Sequence, residues 1–134
     1  MSREIKFRAW EKIQKEFLDM SDACYYLLPH GNLVQITCNE RKPDTHIELD
    51  TVVQLYTGLK DCKGREIYEG DIVKNIVTLC VGEILWVKAY CRYGLKEAIF
   101  PNSTKPIVDC TMAQRYEVIG NIYENPELIG GKND

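Results

Sequence analysis

The sequence predicts a mainly β fold with helix only at its margins: a small SH3-like antiparallel barrel, a β-rich N-terminal extension and a short C-terminal helical turn. Three observations predict it. Ile5, Phe7 and Ala9 alternate with Lys6, Arg8 and Trp10, the period of two that puts apolar side chains on one face of a strand. Between 52 and 123, β-branched and aromatic residues crowd between Gly-centred turns. In a unit this small, closure into a barrel disposes of exposed strand edges.

The elements follow in order. An opening strand over the first ten residues gives way to a polar stretch from Glu11 to Glu16, and Phe17, Leu18, Asp19 and Met20 form the returning arm of a hairpin. Ser21 and Asp22 suit a turn or a helix cap. Residues 23–28 fit no single pattern. Pro29, His30, Gly31 and Asn32 signal a turn before a strand from Leu33 to Cys38, and the polar residues from Asn39 to Asp44 read as a mobile loop. Val52 to Tyr56 reads as a strand. In Asp61-Cys62-Lys63-Gly64, Asp can accept backbone amides and Gly can take a positive φ. Ile67 and Tyr68 run into a second turn at Glu69-Gly70-Asp71, followed by a strand from Ile72 to Lys74. From Val81 to Tyr93 the pattern reads as one long β segment whose apolar parity changes partway, which predicts a bulge or bend. Pro101 and Pro106 bracket a loop, and Tyr116 to Tyr123 forms the last strand. Asn125 and Pro126 then suit the cap and first position of a helix, before a frayed tail at 129–134.

With 134 residues against about 150 for a typical domain, the chain is expected to form one domain: an extension over 1–51 and a barrel core over 52–128. Its mean hydropathy of −0.30 and 28% charged residues are those of an ordinary globular protein. No apolar run approaches the roughly 20 residues of a membrane-spanning helix, and the N-terminus lacks the apolar stretch of a secretory signal. The expected location is the cytoplasm. Seventeen basic and twenty acidic residues give a net charge of −3, evenly mixed along the chain. That balance disfavours nucleic acid as the main partner, which usually demands a basic face. A local patch of Arg3, Lys6, Arg8, Lys12 and Lys15 is the exception, and its plainer account is a solvated strand face and turn. Six cysteines stand without a single Cys-x-x-Cys pair, so the spacing matches no zinc site and predicts free thiols, with Cys80 and Cys91 as small buried hydrophobes inside strands.

Three segments resemble the YopX family of small phage and prophage proteins of Gram-positive bacteria. The first is Arg3-Glu4-Ile5-Lys6-Phe7-Arg8-Ala9-Trp10. The second runs from Tyr56-Thr57-Gly58-Leu59-Lys60-Asp61 through Gly64 to Ile67-Tyr68-Glu69-Gly70-Asp71-Ile72-Val73. The third is Tyr116-Glu117-Val118-Ile119-Gly120-Asn121-Ile122-Tyr123-Glu124-Asn125-Pro126-Glu127-Leu128. The resemblance implies a phage or prophage origin, a β-rich fold and self-association; it implies no activity.

Two clusters are candidates for chemistry. Asp61, Glu69 and Asp71, if their turns converge, suit a hard cation or acid–base hydrolysis. Turn carboxylates that accept backbone amides explain the same residues more simply. Trp86, Tyr90 and Tyr93 are the rings to test for exposure and binding, since small barrels hold peptides or single strands on exposed aromatics, although core or interface packing accounts for most rings. No phosphate loop, nucleophile elbow or histidine-rich metal motif is present. The reading is a non-enzymatic, self-associating module without a cofactor, binding a host or phage protein and not a membrane. A nucleic-acid-binding accessory factor and a carboxylate-metal hydrolase are the alternatives.

Overall fold

The computed structural model describes residues 6–19, 24–39, 42–88, 91–98, 104–106 and 110–129. Strands dominate, as expected. The chain divides into two compact units, one of Phe7–Gln54 and one of Met1–Lys6 with Leu55–Asp134.

In the unit of Phe7–Gln54, β1 (Phe7–Glu11) and β2 (Glu16–Phe17) form an antiparallel hairpin. Trp10 stands opposite Phe17, and their rings meet edge to face with centroids 5.0 Å apart. The turn is held by Glu11, whose carboxylate accepts the amides of Ile13 and Gln14 while its carbonyl accepts that of Lys15. A second, three-stranded sheet has the order β3 (Cys24–Leu27), β4 (Leu33–Asn39), β5 (Lys42–Leu49). Leu33 and Val34 on its central strand are buried, as the middle of a sheet requires. β6 (Thr51–Lys60) starts in this unit and ends in the other.

In the second unit the end of β6 pairs with β7 (Glu66–Tyr68) across an irregularity between Tyr56 and Lys60. β8 (Asp71–Asn75), β9 (Val81–Val87), β10 (Arg92–Glu97), β11 (Lys105–Pro106) and β12 (Tyr116–Asn121) make a five-stranded antiparallel sheet in the order β11-β10-β9-β8-β12. Register builds the core: Val73 lies opposite both Gly82 and Val118, and Ile84 opposite Leu95. Cross-strand pairing thereby brings Val73, Ile84, Leu95 and Val118 together, where Ile67, Ala113 and Tyr116 join them. Each fully buried aliphatic side chain there is worth about 1.5–3 kcal/mol. One helical turn, α1 (Cys110–Ala113), brings Ala113 to this cluster, and a 3₁₀ turn at Pro126–Ile129 packs on β9.

Four expectations are corrected. The predicted mobile loop from Asn39 to Asp44 is mostly strand, since Asn39 ends β4 and Lys42 pairs with it at the start of β5; polar residues suffice for a ladder that needs only backbone groups. The long segment from Val81 to Tyr93 is a hairpin and not one bent strand. Its parity change marks the passage from β9 to β10, where Cys91 takes a left-handed φ of 50°. Cys91 is consequently exposed and Cys80 half-buried in a loop, so neither is a buried strand hydrophobe, although both are free thiols, as is Cys62. The Asn125 side chain turns back to accept the amide of Asn121 instead of capping the turn that follows it.

Candidate functional site

Among the described residues, the β8–β9 hairpin carries the most exposed large apolar side chains of its unit. Ile76, Val77 and Leu79 lie at its tip, with Val77 81% exposed. The tip is nonetheless a built structure. The Asn75 side-chain oxygen accepts the amides of Val77 and Thr78, its carbonyl accepts that of Leu79, and its own amide donates to Cys80. Leu79 is held at φ 64°, a conformation that costs a branched side chain energy and here directs a leucine into water. Farther along β9, Trp86 is 49% exposed and meets Tyr93, its direct cross-strand neighbour, edge to face at 5.1 Å. The structure thus brings together two of the three predicted binding aromatics; Tyr90 lies outside the described residues. The apolar tip was missed from the sequence. Its one legible signal is an Asn followed by large apolar residues where a turn normally places Gly, Pro or polar residues.

Of the three predicted acidic residues, Asp61 and Asp71 hold up backbone. Asp61 is buried and uses one carboxylate oxygen for the amides of Lys63 and Arg65, 2.9 and 2.8 Å away, and the other for Val118 at 2.9 Å. It therefore closes its own turn, where Gly64 supplies the positive φ of 80°, and ties that turn to β12. Asp71 is likewise buried and accepts the amide of Tyr68 at 2.8 Å. Glu69 is half-buried in the next turn. Among the described residues no three of His, Cys, Asp and Glu stand together as a metal-holding group.

A different group of titratable residues converges at the β9–β10 pair. A cavity of about 120 Å³ is lined by Glu83, Lys96, Glu97, Ala98 and Ile129. Glu83 and Lys96 are direct cross-strand partners, and the buried Glu97 carboxylate takes an ion pair from Lys105 at 2.6 Å. That hydrogen bond holds the Lys105 ammonium above its ordinary range. Burial pushes the carboxyls of Glu69 and Glu83 up, with Lys96 partly restraining Glu83. Burial also raises the Tyr123 phenol, reinforced by the charges of Glu83 and then Glu69. Sequence reasoning could not find this group, because the cross-strand match of Glu83 to Lys96 exists only in one hairpin register.

The N-terminal basic residues are engaged within the protein. The Lys6 ammonium lies 3.1 Å from Glu66, the Arg8 guanidinium donates to Gln54 at 2.7 Å and stacks over Phe17 at 4.7 Å, and Lys12 lies 3.4 Å from Asp50. Lys15 sits in the β1–β2 turn with φ 58°, and Arg3 lies outside the described residues.

Comparison with known proteins matches residues 6–130 to the model of the YopX protein family. Among solved structures, protein EF1440 from Enterococcus faecalis is similar at 26% identity, covering 96% of this chain and 99% of that one with a TM-score of 0.61. Protein yopX from Bacillus subtilis shares the fold at 16% identity, with 95% and 97% covered and a TM-score of 0.58. No curated protein matches the chain.

Proposed function

The chain belongs to the YopX protein family, and from that premise we propose that it works as a non-enzymatic, self-associating protein-interaction module of phage or prophage origin. The observation that supports this reading is the β8–β9 hairpin, which exposes Ile76, Val77 and Leu79 on a tip fastened by Asn75, and Trp86 along its second strand. Exposed large apolar groups on an ordered scaffold lose little conformational entropy on binding, which is the property of an interface anchor. The finer architecture in this reading is an SH3-like barrel, the place of action is the host cytoplasm, and the partner is a host or phage protein.

The test is capture of partners from host lysate on tagged protein, with and without nuclease, beside light scattering of the purified chain. A stoichiometric protein partner that survives nuclease, and is lost from the V77D/W86A variant at unchanged melting temperature, supports the reading. Capture that depends on nucleic acid, or that the variant leaves intact, overturns it.

A further inference from the structure

We propose that residues 122–129 form a proton-controlled latch, closed over Glu69 and Glu83 while these carboxyls are protonated and loosened when they ionise. Backbone hydrogen bonds make the junction. The Gly70 amide donates to the Ile84 carbonyl at 2.8 Å, and the Gly70 carbonyl accepts the Ile122 amide at 2.9 Å. Gly70 thus joins the turn that carries Glu69, the strand that carries Glu83 and the start of the C-terminal segment that carries Tyr123. The segment then returns across the sheet, where its 3₁₀ turn packs on β9 and Ile129 closes one side of the cavity beside Glu83.

Both carboxyls are half-buried, and neither has a hydrogen-bond partner among the described residues. A protonated carboxyl tolerates such a site; a carboxylate there keeps only part of its water and has no donor to replace the rest. The charged groups around it do not cancel that cost. Lys96 faces Glu83 from β10, but the Lys105 ammonium is spent on Glu97. Glu97 lines the same cavity, and the Tyr123 phenol feels the charges of both Glu83 and Glu69. On the segment itself Glu124 and Glu127 are exposed acids, with Glu124 bonded to the Asn121 side chain. Ionisation therefore sets further negative charge beneath an acidic segment, and relief comes from lifting the segment and hydrating the carboxylates. Lifting it opens the cavity among Glu83, Lys96 and Glu97.

The sign follows from burial. Both groups are raised above the ordinary 4.5, so the closed form holds the extra protons and loses its advantage as pH rises through the folded-state values. Amide hydrogen exchange resolved by NMR, from below that ordinary value to neutral pH, tests the latch. Corrected for intrinsic exchange, the Asn125 and Leu128 amides, which donate to Asn121 and Asn125, are expected to lose protection several-fold while the amides of β8 and β9 keep theirs. In the E69Q/E83Q variant protection should stay flat. Carboxyl ¹³C titration of Glu69 and Glu83 in the natural chain provides a second measurement that needs no variant, and its midpoints must coincide with the loss of protection. Flat protection in the natural chain, an unchanged loss in E69Q/E83Q, or midpoints displaced from that loss each overturn the proposal.

Discussion

Asp61 is a buried carboxylate with both oxygens in use. Its carboxylate satisfies three amides, one of them on a buried strand residue. Asp61→Ala is expected to cost roughly 3 kcal/mol in urea unfolding, because it removes charge-assisted bonds and leaves the Val118 amide without an acceptor. Asp61→Asn, which keeps one acceptor oxygen, should recover part of that loss. Millimolar Mg²⁺ should leave the unfolding midpoint unchanged, since both oxygens are committed to amides. Gly94 is required for a different reason. A Cβ there would stand 2.6 Å from the Val87 side chain and 2.8 Å from the Lys105 carbonyl, and the carbonyl cannot yield without parting β11 from β10. Gly94→Ala should therefore destabilise by about 1–3 kcal/mol in the same assay. At this scale the sequence was partly legible: Asp61 and Gly64 announced their turn, whereas Gly94 gives no sign before its neighbours are known.

The β8–β9 hairpin shows how an element acquires a property absent from its residues singly. Asn75 fastens the tip, so Asn75→Ala should cost about 1 kcal/mol and speed exchange of the Val77 and Thr78 amides, with little change at the core strands. The second property is the raised titration of Glu83 on β9, shared by Glu69 in the turn before β8. Their raised values mean that the stability they contribute is fully present below the unfolded-state pKa and is lost as pH rises through the folded-state one. Glu83→Gln should accordingly stabilise the protein at neutral pH, by less than about 1 kcal/mol for a group still half in solvent, and flatten urea stability above pH 4.5. Glu48 acts in the opposite sense. Hydrogen bonds from His30 and then Asn32 hold its carboxyl below the ordinary range, so its contribution is present above 4.5 and is lost as pH falls through the folded-state value. The hairpin also shows where reading strands from pattern stopped. The parity change after Val87 was visible, but a bend within one strand and a turn between two produce the same change, and only the ladder of β9 with β10 distinguishes them.

For the molecule as a whole, the interaction reading predicts a light-scattering mass that is a multiple of 15.5 kDa, with a shift toward monomer if Val77→Asp strikes the self-contact. The same molecule should show no steeply salt-dependent binding to single-stranded oligonucleotides in fluorescence anisotropy. Lys6, Arg8 and Lys12 already hold Glu66, Gln54 with Phe17, and Asp50, and phosphate would have to displace those partners. No helix among the described residues is long and apolar enough to cross a membrane.

By itself the sequence determined the mainly β class, most strand positions, the two Asp-Gly turns and the family, because these rest on local chemistry: alternation, β-branching, and turn residues whose side chains serve their own backbone. Tertiary structure alone decided which side chains meet. It opposed Trp86 to Tyr93 and Glu83 to Lys96, committed Asp61 to β12, and set Ile76, Val77 and Leu79 in solvent. Those outcomes depend on strand register and order, and register is chosen by the packing of the whole sheet, since a slip of one residue would send every side chain to the opposite face.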